Sequence, residues 1–182
     1  MKGSLIILLT LLFSLVFSLK SISQVNYSTD FNAIGTWTGS GFSTTTNDPC
    51  SGTSVRENVY STTTLEGDLH NSTSFGTSLG GEMTVQFDYK VINWSDGALT
   101  DAAEFIMVVQ SATDAGGPWT TEYTVVHTPG LCATKSFSYT PPAGNNVFLK
   151  FRTDWISGDY WVITMIFQLL KHCAHRQPQT MK

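Results

Sequence analysis

Apolar and polar residues alternate along several short segments of this chain. From Met83 to Val91 every odd-numbered residue is apolar and every even-numbered residue is polar, and Val147–Arg152 follows the same pattern more loosely. A period of two places one set of side chains in a core and the other in water, which indicates a half-buried β-strand. Other apolar segments of strand length lie between these two: Phe105–Val109, Trp119–Val126 and Ser136–Tyr139.

Clusters of turn-forming residues separate these segments, for example Asp114–Pro118, Pro141–Gly144 and Ser157–Asp159. Many short strands joined by tight turns, with no convincing amphipathic helix, are typical of an antiparallel β-sandwich or a barrel. We predict an all-β sandwich. The stretch Ser40–Gly81 is rich in Ser, Thr and Gly and poor in apolar residues. We predict that it forms loops and short strands laid over the sandwich.

The N-terminus carries the pattern of a cleavable export signal. Lys2 precedes an apolar run, Leu5–Phe17, and the small residues Ser21 and Ser23 fit a signal-peptidase site. An uncleaved anchor is the alternative, but the run is shorter than the roughly 20 residues that span a bilayer. We therefore predict residues 1–23 as a signal peptide and the protein as secreted or attached to the cell surface.

The composition excludes two classes of partner. The chain has a net charge of −4 and no run of basic residues, so it lacks the positive stripe that neutralises nucleic-acid phosphates. Outside the export signal, no apolar segment is long enough to cross a membrane. We therefore expect no nucleic-acid partner, and no membrane contact after the signal is cleaved.

Two cysteines lie in loop-like segments rich in Ser, Thr and Pro, Cys50 in TNDPCSGT and Cys132 in TPGLCATK. An exported protein can keep disulfides. A bridge between these cysteines would close a loop of about 80 residues and stabilise the fold by roughly 4 kcal/mol in the chain-entropy model. We predict this bridge, and two unpaired thiols are the alternative.

Several blocks of the chain, in their order, match one known pattern: NYSTDFNAIGTWTGSGF, NDPCSGTSVRENVY, SLGGEMTVQFDYKVINW, VVQSATDAGGPWTTEYTV and FLKFRTDWISGDYWV. Over residues 26–162 the chain resembles the jelly-roll modules of large secreted surface proteins from gliding bacteria with type IX secretion. Those modules are similar in layout to MAM-type domains and carbohydrate-binding modules. The resemblance implies a jelly-roll sandwich and a non-catalytic adhesive or ligand-binding role within a longer surface protein.

After the GDYW block the chain departs from these modules, which close with a strand reading like YYDDISVTE. A frame change explains the departure, because the codons of Met165 and Ile166 contain GAT, an Asp codon, when they are read from the third base. We predict the module at residues 24–162 and an aberrant, frameshifted tail at residues 163–182.

The tail can still form a strand, because apolar residues occupy every second position at its start. These residues are Ile163, Met165, Phe167 and Leu169.

The resemblance also implies a calcium site. The matching positions in such modules lie near the first and the last strand, which singles out Asp30 here, with a partner Asp in the displaced closing strand. Carboxylate and backbone oxygens are the ligands that calcium prefers. Asp96, Asp101 and Glu104 form a second, weaker cluster. Ordinary turn aspartates are the alternative for both.

The chain has five tryptophans, many for one small domain. Trp119 follows a tight turn and begins a strand, so we expect it to pack in the core. Trp94 and Trp155 each end an alternating strand just before a turn. A flat aromatic ring at such a rim can stack on the face of a sugar. We predict Trp94 and Trp155 as ligand-binding residues, and packing at the strand ends is the alternative.

The sequence shows no catalytic constellation. His70 and His127, the histidines outside the tail, have no nucleophile elbow beside them, and sequence spacing cannot establish the carboxylate separation that glycoside hydrolysis requires. We therefore predict a non-enzymatic extracellular binding or adhesion module. It would need no cofactor other than calcium, and its partner would be a glycan or a surface protein. A structural spacer and an accessory domain of a secreted hydrolase are the alternatives.

Overall fold

The computed structural model describes residues 25–47, 50, 52–61, 66–98, 104–128 and 132–171. The predicted signal peptide, Asp101 and the tail beyond Lys171 lie outside the described residues. Among the described residues there is no helix long and apolar enough to cross a membrane.

Within these ranges the chain forms eleven strands. They are β1 (Asn26–Thr29), β2 (Trp37–Ser40), β3 (Ser43–Thr45), β4 (Ser54–Tyr60), β5 (Glu66–Asn71), β6 (Met83–Asn93), β7 (Phe105–Ala112), β8 (Thr120–Thr124), β9 (Ala133–Tyr139), β10 (Phe148–Trp155) and β11 (Asp159–Lys171).

The strands pair in two antiparallel sheets. Sheet I has the order β3-β4-β11-β6-β9, with β1 paired to β11, and sheet II has the order β2-β5-β10-β7-β8. The two sheets enclose one main hydrophobic core between them. The all-β antiparallel sandwich that the alternation predicts is confirmed.

The main core is filled by the inward residues of the alternating strands. In β6 the odd-numbered residues from Met83 to Val91 are all at most 1% exposed: Met83, Val85, Phe87, Tyr89 and Val91. An aromatic cluster surrounds Trp37, which is 3% exposed. The ring centroids of its neighbours lie 5.1 to 5.9 Å from that of Trp37, and they belong to Phe31, Phe75, Phe151 and Phe167. The indole N–H of Trp37 donates to the hydroxyl of Tyr27 at 3.0 Å, so its polar atom is satisfied inside the core.

Strand β11 passes through the boundary that the sequence predicted between Val162 and Ile163. It lies between β4 and β6 in the middle of sheet I and continues to Lys171. Its pairing with β6 steps from Met165–Asp88 to Phe167–Phe87, so a β-bulge interrupts the register there.

The bulge divides the four alternating residues of β11 between two faces of the sheet. Ile163 and Met165 pack on the outer side of sheet I with Ile92, whereas Phe167 and Leu169 pack in the main core. All four are fully buried. An unbroken alternation would place the four side chains on one face. The inserted residue reverses the facing of the strand, and no pattern of apolar residues shows this.

The stretch Ser40–Gly81 does not lie over the sandwich as loops and short strands, as the sequence suggested, but contributes strands to both sheets. Strand β4 pairs with β11 and strand β5 pairs with β10. Val55, Val59 and Leu69 are fully buried. The prediction was wrong because a strand with one face in the core needs only every second residue to be apolar. Val55, Val59 and Leu69 occupy such inward positions, whereas Leu79 is 41% exposed.

The predicted disulfide is confirmed. Cys50 and Cys132 are bonded, with their Cα atoms 5.8 Å apart. The bridge joins the segment before β4 to the segment before β9. Cys50 and Trp161 pack on the small outer cluster of Ile92, Ile163 and Met165, and the backbone N–H of Cys50 contacts the Met165 sulfur. We call this outer surface of sheet I the strapped face.

Candidate ligand-binding face

The two tryptophans predicted as ligand contacts lie at the same end of the sandwich, on either side of the turn between β10 and β11. Trp94 directly follows β6 and is 55% exposed, and its backbone N–H donates to the carbonyl of Asp159 at 3.0 Å. Trp155 ends β10 and is half-buried against the core. Its indole N–H donates to the carbonyl of Gly158 at 2.9 Å. Trp155 therefore stabilises the turn, whereas the ring of Trp94 is exposed to solvent. That either residue contacts a ligand stays a prediction.

Asp30, the residue predicted for calcium, is exposed directly after β1. Its carboxylate accepts hydrogen bonds from the backbone N–H and the side-chain amide of Asn32. In the part of the chain that the structure describes, no three His, Cys, Asp or Glu residues are grouped so that they could hold a metal ion. Of the weaker cluster, Asp96 accepts the backbone N–H of Ala98 at 2.9 Å. Calcium at Asp30 stays a prediction.

Trp119 does not pack in the main core, as the sequence suggested, but stands on the outer side of sheet II. It directly precedes β8 and is half-buried. The Lys150 ammonium lies 4.7 Å from the centroid of its ring, and the His70 ring lies 5.7 Å from it. The prediction failed because the facing of a strand is set by its pairing. Thr121 is paired with Gln110, whose side chain faces away from the core, and Trp119 is two residues earlier on the same face.

A row of polar residues crosses all five strands of sheet II beside Trp119. The strand pairing places these residues directly opposite one another, in the order Thr38, His70, Lys150, Gln110 and Thr121. Even-numbered residues of β5, β7 and β10 point outward in this sheet, whereas their odd-numbered neighbours fill the core. The row is therefore a continuous polar strip on one side of the sandwich.

Contacts within the row hold its side chains in place. The Asp68 carboxylate lies 2.6 Å from His70 Nδ1 and 3.6 Å from the Lys150 ammonium, and Lys150 is only 6% exposed. The side-chain amide of Gln110 donates to the Thr121 hydroxyl at 3.3 Å. Its carbonyl oxygen has no hydrogen-bond partner among the described residues. This buried oxygen therefore keeps hydrogen-bonding capacity that no described residue uses.

Charges on this side of sheet II are arranged in local pairs. Arg152 lies 2.9 Å from the carboxylate of Asp154 and 3.1 Å from that of Glu66. Lys150 and Arg152 thus stand among three carboxylates, and the net charge of the surface is small. We call this surface the open face. Its residues are Glu66, Asp68, His70, Gln110, Trp119, Thr121, Lys150, Arg152 and Asp154.

A buried acid lies between the two sheets, where sequence reasoning did not expect one. Glu57 of β4 points into the sandwich and is fully buried. One carboxyl oxygen accepts from the Thr153 hydroxyl at 3.1 Å, and the other has no partner among the described residues. Burial raises the pKa of Glu57 to about 8, although the Thr153 hydrogen bond opposes the shift. Gly41 and Gly67 leave room for the carboxyl, since a Cβ at either position would collide with it.

Comparison with known proteins identifies the fold. No protein-family model matches the chain, and no curated protein has a similar sequence. Among solved structures, the chain is similar to the CBM22-1 xylan-binding domain of Paenibacillus barcinonensis Xyn10C, with a TM-score of 0.56 and 13% identity over 86% of this chain and 100% of that one. A second similar structure is a family 11 carbohydrate-binding module from Clostridium thermocellum in complex with a mixed-linked tetrasaccharide. Its TM-score is 0.54, with 14% identity over 82% of this chain and 98% of that one.

A third structure, a xylan-binding domain of family CBM22, has a TM-score of 0.55 and 11% identity over 81% of this chain and 96% of that one. At such identities the likeness establishes the fold alone. The chain has the jelly-roll sandwich fold of carbohydrate-binding modules, as the resemblance in the sequence implied.

Proposed function

We propose that this protein is a non-catalytic extracellular module that binds a glycan on its open face. One observation carries the proposal: Trp119 stands beside a fixed row of polar side chains on one side of the jelly-roll sandwich. The similar structures support it, because two of them are named as xylan-binding domains and a third holds a tetrasaccharide.

The chemistry of the open face suits a sugar ring. The apolar C–H surface of a pyranose can stack on the exposed part of the Trp119 indole. Its hydroxyls can donate to the Asp68 carboxylate and accept from Lys150. The charges of the face nearly balance, so they do not favour a charged ligand. A neutral glycan also avoids the repulsion that an acidic glycan would meet at the carboxylates.

A polysaccharide array, followed by affinity electrophoresis on the glycans that bind, tests this proposal. We expect the full chain to bind at least one neutral polysaccharide. Trp119→Ala should weaken that binding at least about 30-fold, the size of a 2 kcal/mol hot spot.

Trp161→Ala is the matched control, because Trp161 is also half-buried beneath a cation but belongs to the strapped face. It should bind like the wild type. If binding survives Trp119→Ala but is lost in Trp94→Ala, the binding site lies instead at the end of the sandwich that carries Trp94 and Trp155. A chain that binds no glycan on the array would favour the structural spacer.

We also propose that the module is exported and belongs to a longer surface protein of a type IX-secreting bacterium, with a frame change after Val162. The order of the resembling sequence blocks and the departure from their closing sequence after the GDYW block support this proposal. Sequencing of the gene tests the frame change. The shifted frame should read Tyr-Asp-Asp-Ile-Ser-Val-Thr-Glu from codon 163, and a different reading there contradicts the frame change.

Calcium binding near Asp30 is a further part of the proposal, and its support is the position of this exposed carboxylate at the end of β1. We expect calcium to raise the melting temperature of a chain with the restored closing strand, and EDTA to reverse the rise. Asp30→Asn should remove the effect, and an equal rise in that variant would place the ion elsewhere.

A further inference from the structure

A cavity of about 380 Å³ opens between the two sheets at the edge where β8 of sheet II faces β9 of sheet I. Apolar groups from Ala112, Pro118, Pro141 and Pro142 form part of its wall, and Glu122 and Tyr139 supply polar groups. Its volume is at the lower end of the range for small-molecule sites, roughly 300 to 1,000 Å³. The cavity is separate from the polar row of the open face, since it lies between the sheets.

A β-bulge in β8 brings a carboxylate to this cavity. Val109 pairs with Tyr123 and Gln110 pairs with Thr121, so Glu122 is an extra residue without a partner position on β7. Bulges of this kind redirect a side chain out of the regular alternation. The Glu122 carboxylate lines the cavity, and one of its oxygens accepts from the Ser111 hydroxyl at 2.6 Å. A neighbouring side chain therefore fixes the orientation of the acid.

A buried hydroxyl without a partner faces the same cavity. Tyr139 ends β9 and is only 7% exposed, yet its hydroxyl has no hydrogen-bond partner among the residues that the structure describes. Burial, with a smaller contribution from the charge of Glu122, raises the pKa of Tyr139. The hydroxyl is therefore neutral and keeps its proton to donate. Buried polar groups are nearly always paired, so an unmet hydroxyl at a cavity wall indicates a missing partner.

We propose that this cavity binds a single neutral sugar ring, independently of the open face. The proline rings and Ala112 offer an apolar wall for the C–H face of a pyranose. The Tyr139 hydroxyl donates to one ring oxygen or hydroxyl, and the Glu122 carboxylate accepts from another. The negative charge of Glu122 disfavours acidic sugars such as uronic acids. A free monosaccharide and the end of a longer glycan share this chemistry.

NMR titration of the isotope-labelled full chain tests the proposal with neutral hexoses and pentoses, with glucuronic acid and with oligosaccharides of increasing length. A neutral sugar should cause saturable shifts in the amides of residues 111–122 and 139–146, and glucuronic acid should bind more weakly. Equal affinity for all oligosaccharide lengths identifies the end of a chain as the ligand. Binding of the monosaccharide alone identifies the free sugar.

Two conservative variants separate the cavity from the rest of the molecule. Tyr139→Phe, which removes one hydroxyl, and Glu122→Gln should each weaken the affinity for the sugar roughly tenfold or more. Ser138→Ala, the adjacent residue on the outer side of β9, serves as the control and should bind normally, as should Trp119→Ala.

The proposal is overturned if no neutral sugar shifts these amides, if Tyr139→Phe binds like the wild type, or if glucuronic acid binds as tightly as the neutral sugars. Loss of the shifts in Trp119→Ala would also overturn it, because the signal would then belong to the open face. A chain that fails to bind polysaccharide on the open face but still shows these shifts would leave this second site standing.

Discussion

The outer surfaces of the two sheets are built from similar alternating strands but differ in what covers them. On the strapped face the outward residues Ile92, Ile163 and Met165 are apolar, and Cys50 with its disulfide lies against them. On the open face most outward residues are charged or polar, although Ile106, which is 43% exposed, and Val108 also lie there, and no described segment is strapped over them by a disulfide. Both faces are outer faces of one sandwich, yet one carries a small second core beside the disulfide and the other carries a row of polar side chains.

The contrast is sharpest at a motif that the two faces share. Each carries a tryptophan with a cation over its ring. The Arg56 guanidinium lies 4.1 Å from the centroid of Trp161, and the Lys150 ammonium lies 4.7 Å from that of Trp119. On the strapped face the tryptophan packs on apolar neighbours, whereas on the open face His70 and an ion pair surround it. The same local interaction therefore lies against an apolar cluster on one face and among polar and charged groups on the other.

Removing the disulfide should break this contrast and produce the largest effect on stability. Replacing Cys50 and Cys132 by Ser releases a constraint across 82 residues, for which the chain-entropy model gives about 4 kcal/mol. For a domain of this size the melting temperature should fall by about 8–16 °C. The apolar residues of the strapped face should become accessible to a hydrophobic dye.

Thermal unfolding and dye binding measure these effects, and glycan binding below the new melting temperature is the control. Binding should be unchanged, because the open face lies on the opposite sheet. A melting temperature equal to that of the wild type would show that the bridge does not hold the strapped face in place.

Glu57, buried between the two faces, should give the next largest effect, and its pH dependence distinguishes it from the surface carboxylates. Its pKa is raised from 4.5 to about 8 in the folded protein. Below about pH 4.5 both states are protonated. As the pH rises to about 8, the unfolded chain releases this proton and the folded chain does not, so the contribution of Glu57 to stability is lost over this interval.

Glu57→Gln keeps a hydrogen bond to Thr153 and removes the charge. We expect its melting temperature to exceed that of the wild type by at least about 5 °C at pH 9 and to match it near pH 4. Glu66→Gln, on the exposed side of sheet II, is the control and should show no such gain at high pH. A gain that is the same at both pH values would contradict a raised pKa in the folded state.

Replacing the cation of each tryptophan pair should give the smallest effects and compare the two faces directly. Arg56→Met removes a cation–π contact worth about 0.5–1 kcal/mol, so the melting temperature should fall by about 1–4 °C. Glycan binding should not change. Lys150→Met should alter the affinity for the glycan as well, because Lys150 also pairs with Asp68 on the open face. Equal glycan affinities in both variants would show that Lys150 does not contribute to the binding surface.

Part of this architecture could be predicted because it depends on local patterns. The alternation from Met83 to Val91 predicted a strand, and the structure confirms both the strand and its buried face. The pairing of Cys50 with Cys132 was also predicted correctly, since these were the two cysteines in loop-like segments before the tail. The prediction that Ser40–Gly81 lies over the sandwich was wrong because a half-buried strand needs few apolar residues, and Val55, Val59 and Leu69 are enough to anchor β4 and β5 in the core.

The candidate site was predicted less well because it is assembled from distant parts of the chain. His70, Lys150 and Gln110 belong to three strands, and only the order β5-β10-β7 places them side by side. Trp119 was assigned to the core because its sequence context shows that a strand begins there but not which way the strand faces. The bulge at Glu122 is likewise invisible in the sequence, since it appears only when β8 is paired with β7.

The sequence by itself determined that this chain forms an all-β sandwich with a Cys50–Cys132 bridge, because strand period, turn chemistry and cysteine context act over a few residues. Only the tertiary structure decided which surface is closed and which is open. Strand order and bulges set the direction in which each side chain points, and these depend on contacts between segments far apart in the chain. A shift of one residue, as at the bulge in β11, moves a side chain from one side of a sheet to the other.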